Sequence, residues 1–338
     1  MNRQKRIDAL AALGEYILKK DVPLQKVVNK NYLHNQWFTK ENQYKALEAV
    51  AQEYLAKDKL EDWVSNYPAP TVEQPKKIGL ILAGNIPLVG FHDFLTVWLS
   101  GHHSLIKPSS KDEKLLLHLL AVLKELVPNE MVGVEITERL AGFDAVIATG
   151  SNNSSRYFEQ YFGKYPNIIR KNRNAVAVLS GKETPEQIQA LGHDIFDYFG
   201  LGCRNVSKLF LPKDFDFVYF LDHLASFESM MDHHKYKNNY DYNRSILLLN
   251  RTKHFASDFL MMREDTALTS PLSVLNYEFY NSNKEWENRL IDEAAGIQCV
   301  VGDTLSFPNL MPFGTAQQPS LSDYADGVDT MAFCMGLG

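Results

Sequence analysis

The first 66 residues of the chain carry apolar side chains at the spacing of amphipathic helices. In the first run the apolar positions recur every three or four residues, at Ile7, Leu10, Leu13, Tyr16 and Ile17. A second run has the same spacing, at Tyr44, Leu47, Val50, Tyr54 and Leu55. The pattern predicts a helical N-terminal segment that ends in a proline-rich connector at 67–76.

Beyond the connector, short apolar runs alternate with amphipathic segments. The runs have the length of strands and little polar alternation, which is typical of strands buried in a parallel sheet; they are 77–83, 103–108, 143–150 and 174–179. Of the segments between them, 111–126 has the most regular helical spacing. Alternation of strands and helices predicts a doubly wound α/β domain.

The pattern restarts at Thr184. This residue can cap a helix over 185–199 because a threonine side chain accepts from the first free N–H groups of a helix. Further on we predict strands near 207–211 and 245–249. The stretch 236–243 is rich in Asn and Tyr and is interpreted as a loop.

These patterns divide the chain into four parts. We expect a helical segment at 1–75 that packs on the first α/β domain, that domain at 76–181, a second α/β domain at 182–305 and an extended tail at 306–338. The tail is predicted because prolines and glycines are frequent in it.

Composition excludes several classes of protein. The net charge of −6 gives no reason to expect a nucleic acid or an anionic membrane surface as partner. The longest apolar candidate for a membrane span, 78–99, is interrupted by Asn85, Pro87, His92 and Asp93. The N-terminus lacks the apolar core of a signal peptide. Three cysteines form an odd, sparse set, which favours free thiols in a reducing compartment. We therefore expect a cytoplasmic protein.

Cys203 is the first candidate for chemistry. It lies in Gly200-Leu201-Gly202-Cys203-Arg204, between a predicted helix and a predicted strand. Glycine lets the backbone turn without a Cβ clash, so the thiol can face a cleft, as a nucleophilic cysteine would. A free cysteine is also often a small buried apolar residue. From the glycines alone, both interpretations stay open.

Asn85 directly follows the first predicted strand, in Ala83-Gly84-Asn85. The carboxyl edge of an α/β sheet is where such folds bind ligands. The Asn85 amide could donate to a developing oxyanion there. It could equally close a turn, which is common for asparagine.

Two further motifs follow predicted strands. Lys107-Pro108-Ser109 ends the second strand, where the lysine could reach a ribose hydroxyl or a phosphate, or lie solvated before a turn. Gly150-Ser151 follows the third strand and opens a helix whose N–H groups could face a pyrophosphate.

Several motifs are absent from the sequence. It has no Gly-x-Gly-x-x-Gly fingerprint, no Gly-x-x-x-x-Gly-Lys phosphate loop and no Gly-x-Ser-x-Gly elbow. The histidine pairs at 102–103 and 233–234 are adjacent, and adjacent residues converge poorly on one ion. We therefore expect no metal site.

In order and spacing, the motifs resemble the aldehyde dehydrogenase superfamily. The family pattern is matched by Asn85-Ile86-Pro87, Lys107-Pro108, Gly150-Ser151, Gly200-Leu201-Gly202-Cys203 and Pro312-Phe313-Gly314. Within the superfamily, the chain resembles the acyl-CoA reductases of the bacterial luminescence fatty-acid reductase (LuxC) type. That closer likeness is carried by 84–87, 107–110 and 323–330.

The resemblance implies a fold and a set of site residues. It implies two doubly wound three-layer α/β domains, a cofactor domain and a catalytic domain with Cys203, together with N-terminal helices. Cys203 would be the nucleophile, and Asn85 with the Cys203 N–H would stabilise the oxyanion. The cofactor-binding residues would be Lys107, Pro108, Ser109, Gly150, Ser151 and Glu264. Glu264 is the nearest match to the family's Glu-x-Phe-Gly-Pro, but its Phe-Gly part is missing here.

One departure bears on the reaction. The aldehyde-oxidising members carry a glutamate that activates water some 34 residues before the cysteine. Here the corresponding zone, 169–174, reads Ile-Arg-Lys-Asn-Arg-Asn and has no acid. A thioester on Cys203 would therefore exchange with a thiol such as coenzyme A rather than hydrolyse.

The resemblance thus implies NADPH-dependent reduction of an acyl-CoA with a long chain to the aldehyde, with an S-acyl-cysteine intermediate and coenzyme A as leaving group. NADH stays open, because Lys107 could bind ribose hydroxyls equally well. The substrate would be an acyl-CoA or an acyl-enzyme, and we expect a homodimer. The alternatives are a cysteine acyltransferase or thioesterase without hydride transfer, and a non-catalytic subunit that binds a partner.

Overall fold

The computed structural model describes residues 2–69, 74–303 and 310–337. Its contacts divide the chain into two compact units, one formed by Met1–Asn172 with Pro319–Gly338 and the other by Arg173–Gln318. Across the described ranges, none of the helices combines the length and the apolar character that a membrane crossing requires.

The N-terminal segment of the first unit is helical, as its periodicity predicts. Its helices are α1 (Arg3–Lys19), α2 (Val22–His34), α3 (Lys40–Ala49) and α4 (Lys57–Ser65), with a π-helical turn at Val50–Tyr54. The side chains of Asn2, Asp21 and Thr39 cap the first three of these helices. The helices bury their apolar faces in the core that also covers the sheet of this unit.

The first unit is built on a five-stranded parallel sheet in the order β3-β2-β1-β4-β5. The strands are β1 (Lys77–Ile81), β2 (His103–Lys107), β3 (Val134–Ile136), β4 (Ala145–Thr149) and β5 (Asn167–Arg170). The helices between them are α5 (Phe91–Ser100), α6 (Glu113–Leu126) and α7 (Asn152–Phe162). The central strands β1 and β4 are buried, in agreement with their unbroken apolar sequences.

The second unit contains a seven-stranded sheet in the order β12-β11-β6-β7-β10-β9-β8. The strands are β6 (Asn174–Val178), β7 (Val206–Pro212), β8 (His254–Ala256), β9 (Met261–Glu264), β10 (Val274–Tyr280), β11 (Ile297–Val301) and β12 (Leu310–Met311). All neighbours are parallel except β8, which runs antiparallel to β9. The helices are α8 (Pro185–Phe196), α9 (Phe217–His223), α10 (His234–Leu249) and α11 (Asn283–Asp292).

The strand at 174–178 corrects the domain boundary predicted at 181. The apolar run is a strand, as expected, but it lies in the second sheet between β11 and β7 instead of in the first. A buried strand has an apolar sequence in either sheet, and that sequence does not determine which neighbouring strands it pairs with.

Helix α10 corrects two predictions. The loop expected at 236–243 and the strand expected at 245–249 form one helix over His234–Leu249. Its buried residues recur at helical spacing, at Tyr236, Tyr240, Asn243 and Leu247. Asn and Tyr are not strong helix formers, so the composition of the segment favoured a loop. The helix forms because its periodic face packs against the rest of the unit.

The C-terminal segment corrects the prediction of an extended tail. Residues 304–309 lie outside the described residues, whereas 319–337 belong to the first unit and contain helix α12 (Thr330–Met335). Tyr324 fixes this segment, because its hydroxyl accepts from Trp63 Nε1 at 2.8 Å and its ring packs edge-on against His92. Tertiary contacts thus order a stretch whose proline and glycine content predicted an extended chain.

Candidate active site

Six of the predicted cofactor and oxyanion residues lie along one edge of the five-stranded sheet. Strands β2, β1 and β4 are parallel neighbours, so the segments that follow them share the carboxyl edge. The chain order changes direction there, because β2 lies on one side of β1 and β4 on the other. Open α/β sheets bind ligands at such a switch point. The residues at this edge are Asn85, Lys107, Pro108, Ser109, Gly150 and Ser151.

Two loops at this edge are packed closely against each other. One is the Asn85 loop (residues 84–88), which follows β1, and the other is the Ser109 loop (residues 108–112), which follows β2. A Cβ at Gly84 would overlap the Ser109 side chain, so a residue without a side chain is required there. Ser109 Oγ in turn accepts from the N–H of Lys111 at 3.3 Å.

The polar groups at this edge suit a dinucleotide. Lys107 and Lys111 are exposed cations, and Ser151 is an exposed hydroxyl at the N-cap of α7, where it accepts from Ser154 N at 3.2 Å. The first turn of α7 carries no acid. Cations, hydroxyls and helix N–H groups are the donors that ribose hydroxyls and phosphates need. The residues present therefore fit a nicotinamide dinucleotide.

Cys203 lies in the second unit, in a loop with an unusual backbone. The Cys203 loop (residues 197–205) joins α8 to β7, and three consecutive residues in it are left-handed: Tyr198, Phe199 and Gly200, with φ of 55°, 60° and 76°. Glycine adopts this region readily, whereas two bulky aromatic residues do so only where packing compensates. Both aromatic side chains are buried, and the Phe199 ring lies 4.3 Å from the His233 ring.

Asn205 pins the same loop, and sequence analysis missed it. Its side-chain amide donates to the carbonyl of Asp197 at 2.7 Å and to that of Asp194 at 3.4 Å, at the C-terminal end of α8. Its backbone N–H donates to the Gly202 carbonyl at 3.2 Å, which closes a turn around Cys203. A buried asparagine just before a strand is the signal that could have identified it.

Cys203 is the accessible thiol among the three cysteines, all of which the structure describes. Cys203 is half-buried, whereas Cys299 and Cys334 are buried. Burial raises the pKa of the Cys334 thiol to about 12, so this thiol stays protonated and inert. Arg204, the neighbour of Cys203, donates to the Met311 sulfur with a separation of 3.7 Å.

The structure does not bring Glu264 together with Cys203. Strands β7, β10 and β9 are parallel, and Cys203 precedes β7, so it lies at their amino edge. Glu264 is the last residue of β9, where it is exposed and in register with Tyr277. After Glu264 the chain runs back to the amino edge, where the carbonyl of Leu268 accepts from Ser207 Oγ at 2.7 Å.

The segment without an acid contains a buried arginine. Arg170 Nη1 donates to both carboxylate oxygens of Asp93, at 2.8 and 2.6 Å, and Nη2 donates to Thr330 Oγ1 at 2.9 Å. Asp93 lies in the first turn of α5, and Thr330 is the first residue of α12. Arg170 therefore joins two helices of the first unit to the end of β5.

Asp194 holds the Pro312-Phe313-Gly314 motif. This buried carboxylate on α8 accepts from the N–H of Gly314 at 2.6 Å and from that of Ala316 at 3.0 Å. Burial raises the pKa of Asp194 to about 6, although the two N–H bonds favour the charged form. The motif is thus tied to the helix that leads into the Cys203 loop.

We expect the raised pKa of Asp194 to appear in the pH dependence of stability. Between pH 4 and pH 6 Asp194 keeps in the folded protein a proton that it has lost in the unfolded chain. Its contribution to the free energy of unfolding is therefore greatest below pH 4 and is lost as the pH rises through about 6. The full loss is roughly 3 kcal/mol, of which about 2 kcal/mol falls between pH 4.5 and pH 7.5. Urea unfolding of the wild type and Asp194→Asn at pH 4.5 and 7.5 measures it. Asp194→Asn should lose this decrease in stability with rising pH, and the control Asp214→Asn, at an exposed residue, should keep it. An equal decrease in Asp194→Asn and the wild type would contradict the assignment.

The chain is similar to known proteins in sequence and in fold. A family model described as acyl-CoA reductase (LuxC) matches residues 15–216, more than half of the chain. A search of curated proteins gave no significant match.

Solved structures of aldehyde dehydrogenases are similar to the whole fold. Aldehyde dehydrogenase 21 from Physcomitrella patens, solved with succinate, matches at 12% identity and a TM-score of 0.69 over 100% of this chain and 84% of that one. The aldehyde dehydrogenase of Mycobacterium tuberculosis, solved with NAD+, matches at 14% and 0.62, over 89% and 73%. A betaine aldehyde dehydrogenase double mutant from Staphylococcus aureus, also solved with NAD+, matches at 11% and 0.65, over 90% and 72%. The aldehyde-dehydrogenase fold predicted from the motifs is thereby confirmed.

Proposed function

This chain belongs to the LuxC family of acyl-CoA reductases, and from that premise we propose that it reduces an acyl-CoA with a long chain to the aldehyde through an S-acyl intermediate on Cys203. The observation that carries the proposal is the accessible Cys203 thiol on a loop held by buried aromatic residues and Asn205. Such a loop keeps a nucleophile in one position.

In the proposed reaction the Cys203 thiolate attacks the carbonyl carbon of the thioester. A carbon–sulfur bond forms to Cys203 while the carbonyl oxygen gains negative charge. We assign the Cys203 N–H and, from its family motif, the Asn85 amide as donors to this oxygen. The bond to the coenzyme A sulfur then breaks, and coenzyme A leaves as its thiolate, which leaves the acyl group on Cys203.

The cofactor edge of the first unit completes the proposal. Lys107, Ser109, Gly150 and Ser151 would hold a nicotinamide dinucleotide there. When bound, the reduced nicotinamide supplies a hydride to the acyl carbon. Cys203 then leaves that carbon as a thiolate, the carbonyl re-forms as the aldehyde, and the enzyme returns to its starting state.

The sequence at the position of the family's water-activating glutamate supports reduction over hydrolysis. Residues 169–174 contain no acid, and Arg170, one of the two arginines among them, is held by Asp93 and Thr330. A carboxylate that could activate water is therefore missing from the position where the aldehyde-oxidising members carry one. The S-acyl group would persist until it is reduced.

We propose NADPH as the preferred cofactor. Strand β2 ends in Lys107, and Lys111 follows nearby; both are exposed. The nearest acids lie beyond the strand end: Asp112 is buried and accepts from the N–H of Leu88, and Glu113 is half-buried. A strand end whose exposed charges are two lysines favours a 2′-phosphate over a free 2′-hydroxyl.

We expect Lys107→Ala to raise the KM for NADPH about 10-fold or more, because it removes a charged hydrogen bond to phosphate. The KM for NADH should change much less. Initial rates with both cofactors measure the difference, and Lys124→Ala, an exposed lysine on the same unit, is the control. An equal effect on both cofactors would instead place Lys107 on the ribose.

The first test of the proposed function is the consumption of reduced nicotinamide. Purified protein is mixed with NADPH or NADH and acyl-CoAs from acetyl to palmitoyl, and absorbance and mass spectrometry follow the cofactor and the adduct on Cys203. Cofactor loss with formation of the aldehyde supports the reductase. An S-acyl adduct without cofactor loss would favour an acyltransferase, and neither signal would favour a partner-binding subunit.

A further inference from the structure

Asp112 occupies a helix cap without capping the helix. It is the N-cap residue of α6, yet its side chain makes no hydrogen bond to the first turn. A capping aspartate normally stabilises its helix by accepting from that turn. Here Asp112 Oδ2 instead accepts from the backbone N–H of Leu88 at 2.7 Å. The side chain therefore serves the neighbouring Asn85 loop.

Leu88 is strained where this bond is made. Its φ is 59°, in the left-handed region, and its side chain is buried. Such a backbone is unfavourable in a residue other than glycine and persists only when its surroundings enforce it. By accepting from the buried N–H of Leu88, Asp112 gives that group the hydrogen-bond partner it would otherwise lack in this conformation.

The Asn85 loop is held at both of its ends by the Ser109 loop. At one end Gly84 lies against the Ser109 side chain, and at the other the Leu88 N–H is bound by Asp112. Asn85 lies between these two contacts. They determine the path of the backbone that carries the amide.

We propose that Asp112 is a positioning residue that fixes the Asn85 loop and thereby the Asn85 amide, without touching the substrate. This inference rests on the proposed oxyanion role of Asn85. It assigns a buried carboxyl group of the first unit a part in acyl transfer, which nothing in the family motifs assigns to it.

The state of the carboxyl group guides the choice of variants. Asp112 is 4% exposed, and its Oδ1 has no hydrogen-bond partner within the residues that the structure describes. Burial raises the pKa of Asp112 well above its usual range, because the charged carboxylate is desolvated, and so favours the neutral form. Asparagine imitates the neutral form of the acid, because its carbonyl can still accept from the N–H of Leu88, whereas leucine keeps the branched shape with methyl groups that cannot accept.

The test measures acylation alone. The rate of coenzyme A release from an acyl-CoA is followed in a single turnover with a thiol reagent, without nicotinamide cofactor. We expect Asn85→Ala to lower this rate about 10²-fold, as for loss of one oxyanion donor. Asp112→Leu should lower it comparably, and Asp112→Asn, which keeps an acceptor for the Leu88 N–H, should lower it by less than about 3-fold. The double variant Asn85→Ala with Asp112→Leu should be no slower than Asn85→Ala.

The other outcomes separate the role of Asp112 from the oxyanion role of Asn85. If the Asn85 and Asp112 effects multiply, or if Asp112→Asn is as slow as Asp112→Leu, then Asp112 does not act through Asn85 and the inference is wrong while the proposed function stands. If Asn85→Ala leaves the rate unchanged, the oxyanion role itself fails, and the inference fails with it. Glu113→Gln, the adjacent acid in the first turn of α6, is the control and should be unchanged.

A second variant covers the case in which Asp112→Leu does not fold. Gly84→Ala disturbs the other end of the Asn85 loop, where its Cβ would meet Ser109. The double variant Gly84→Ala with Asn85→Ala should release coenzyme A no more slowly than Asn85→Ala alone. A multiplied effect would overturn the inference that this loop acts by placing Asn85.

Discussion

Replacing Cys203 with alanine is expected to lower kcat for acyl-CoA reduction by a factor of about 10⁴ or more, the scale seen when a covalent nucleophile is removed. Without the thiol no S-acyl intermediate forms, and the remaining groups can only bind the substrate and polarise its carbonyl. The measurement is cofactor consumption with a saturating acyl-CoA, together with mass spectrometry of the protein. Both the rate and the adduct should be lost.

Two further variants make this result specific. Cys299→Val replaces a buried thiol on β11 with a strand-forming residue of similar size and should keep most of the activity. Cys203→Ser keeps the shape but gives a hydroxyl that is mostly protonated at neutral pH, so it should be nearly as inactive as Cys203→Ala. If Cys203→Ala kept its adduct or its rate, another nucleophile would have to be sought.

Replacing Arg170 with methionine is expected to lower the free energy of unfolding of the first unit by about 3–5 kcal/mol. The side chains of Arg170 and Asp93 are only 5% and 6% exposed, so the variant leaves a carboxylate buried without its partner. Thr330 also loses a donor at the start of α12. Urea unfolding, followed by fluorescence, measures the loss.

The next residue along the chain provides the control. Lys171 pairs with Glu159 at 2.9 Å, but the two side chains are 55% and 51% exposed. Lys171→Met should therefore cost less than about 1 kcal/mol. Combining Arg170→Met with Asp93→Leu should recover part of the stability, because the buried charge is then removed as well. A loss for Arg170→Met as small as that for Lys171→Met would mean that the buried pair contributes little.

The sequence predicted the elements whose signal is local. The apolar runs after the connector are strands, and the polar residues that follow three of them lie at one edge of the first sheet, because parallel strands end on the same side. The fold class followed from the motifs, and the family from the closer likeness of 84–87 and 107–110. The roles of Cys203, Asn85 and the cofactor residues stay predictions.

The sequence could not predict features that depend on distant contacts. Strand β6 has the same apolar pattern in either sheet, and only its pairing with β7 and β11 decides its unit. Asn205 and Asp112 act through hydrogen bonds to backbone groups, which leave no trace in periodicity. Glu264 was chosen by its nearness in sequence to a family motif, but the fold places it away from the amino edge of the sheet, where Cys203 lies.

The return of residues 319–338 to the first unit bears on how the protein is made. The second unit is one continuous stretch, 173–318, whereas the first consists of two pieces that flank it. On the ribosome the second unit can fold as soon as it has emerged, since domains generally fold as units during synthesis. The first unit, although its sheet is translated earlier, waits for α12 to meet Arg170. Its partly built core is therefore the part of the nascent chain that a chaperone would protect longest.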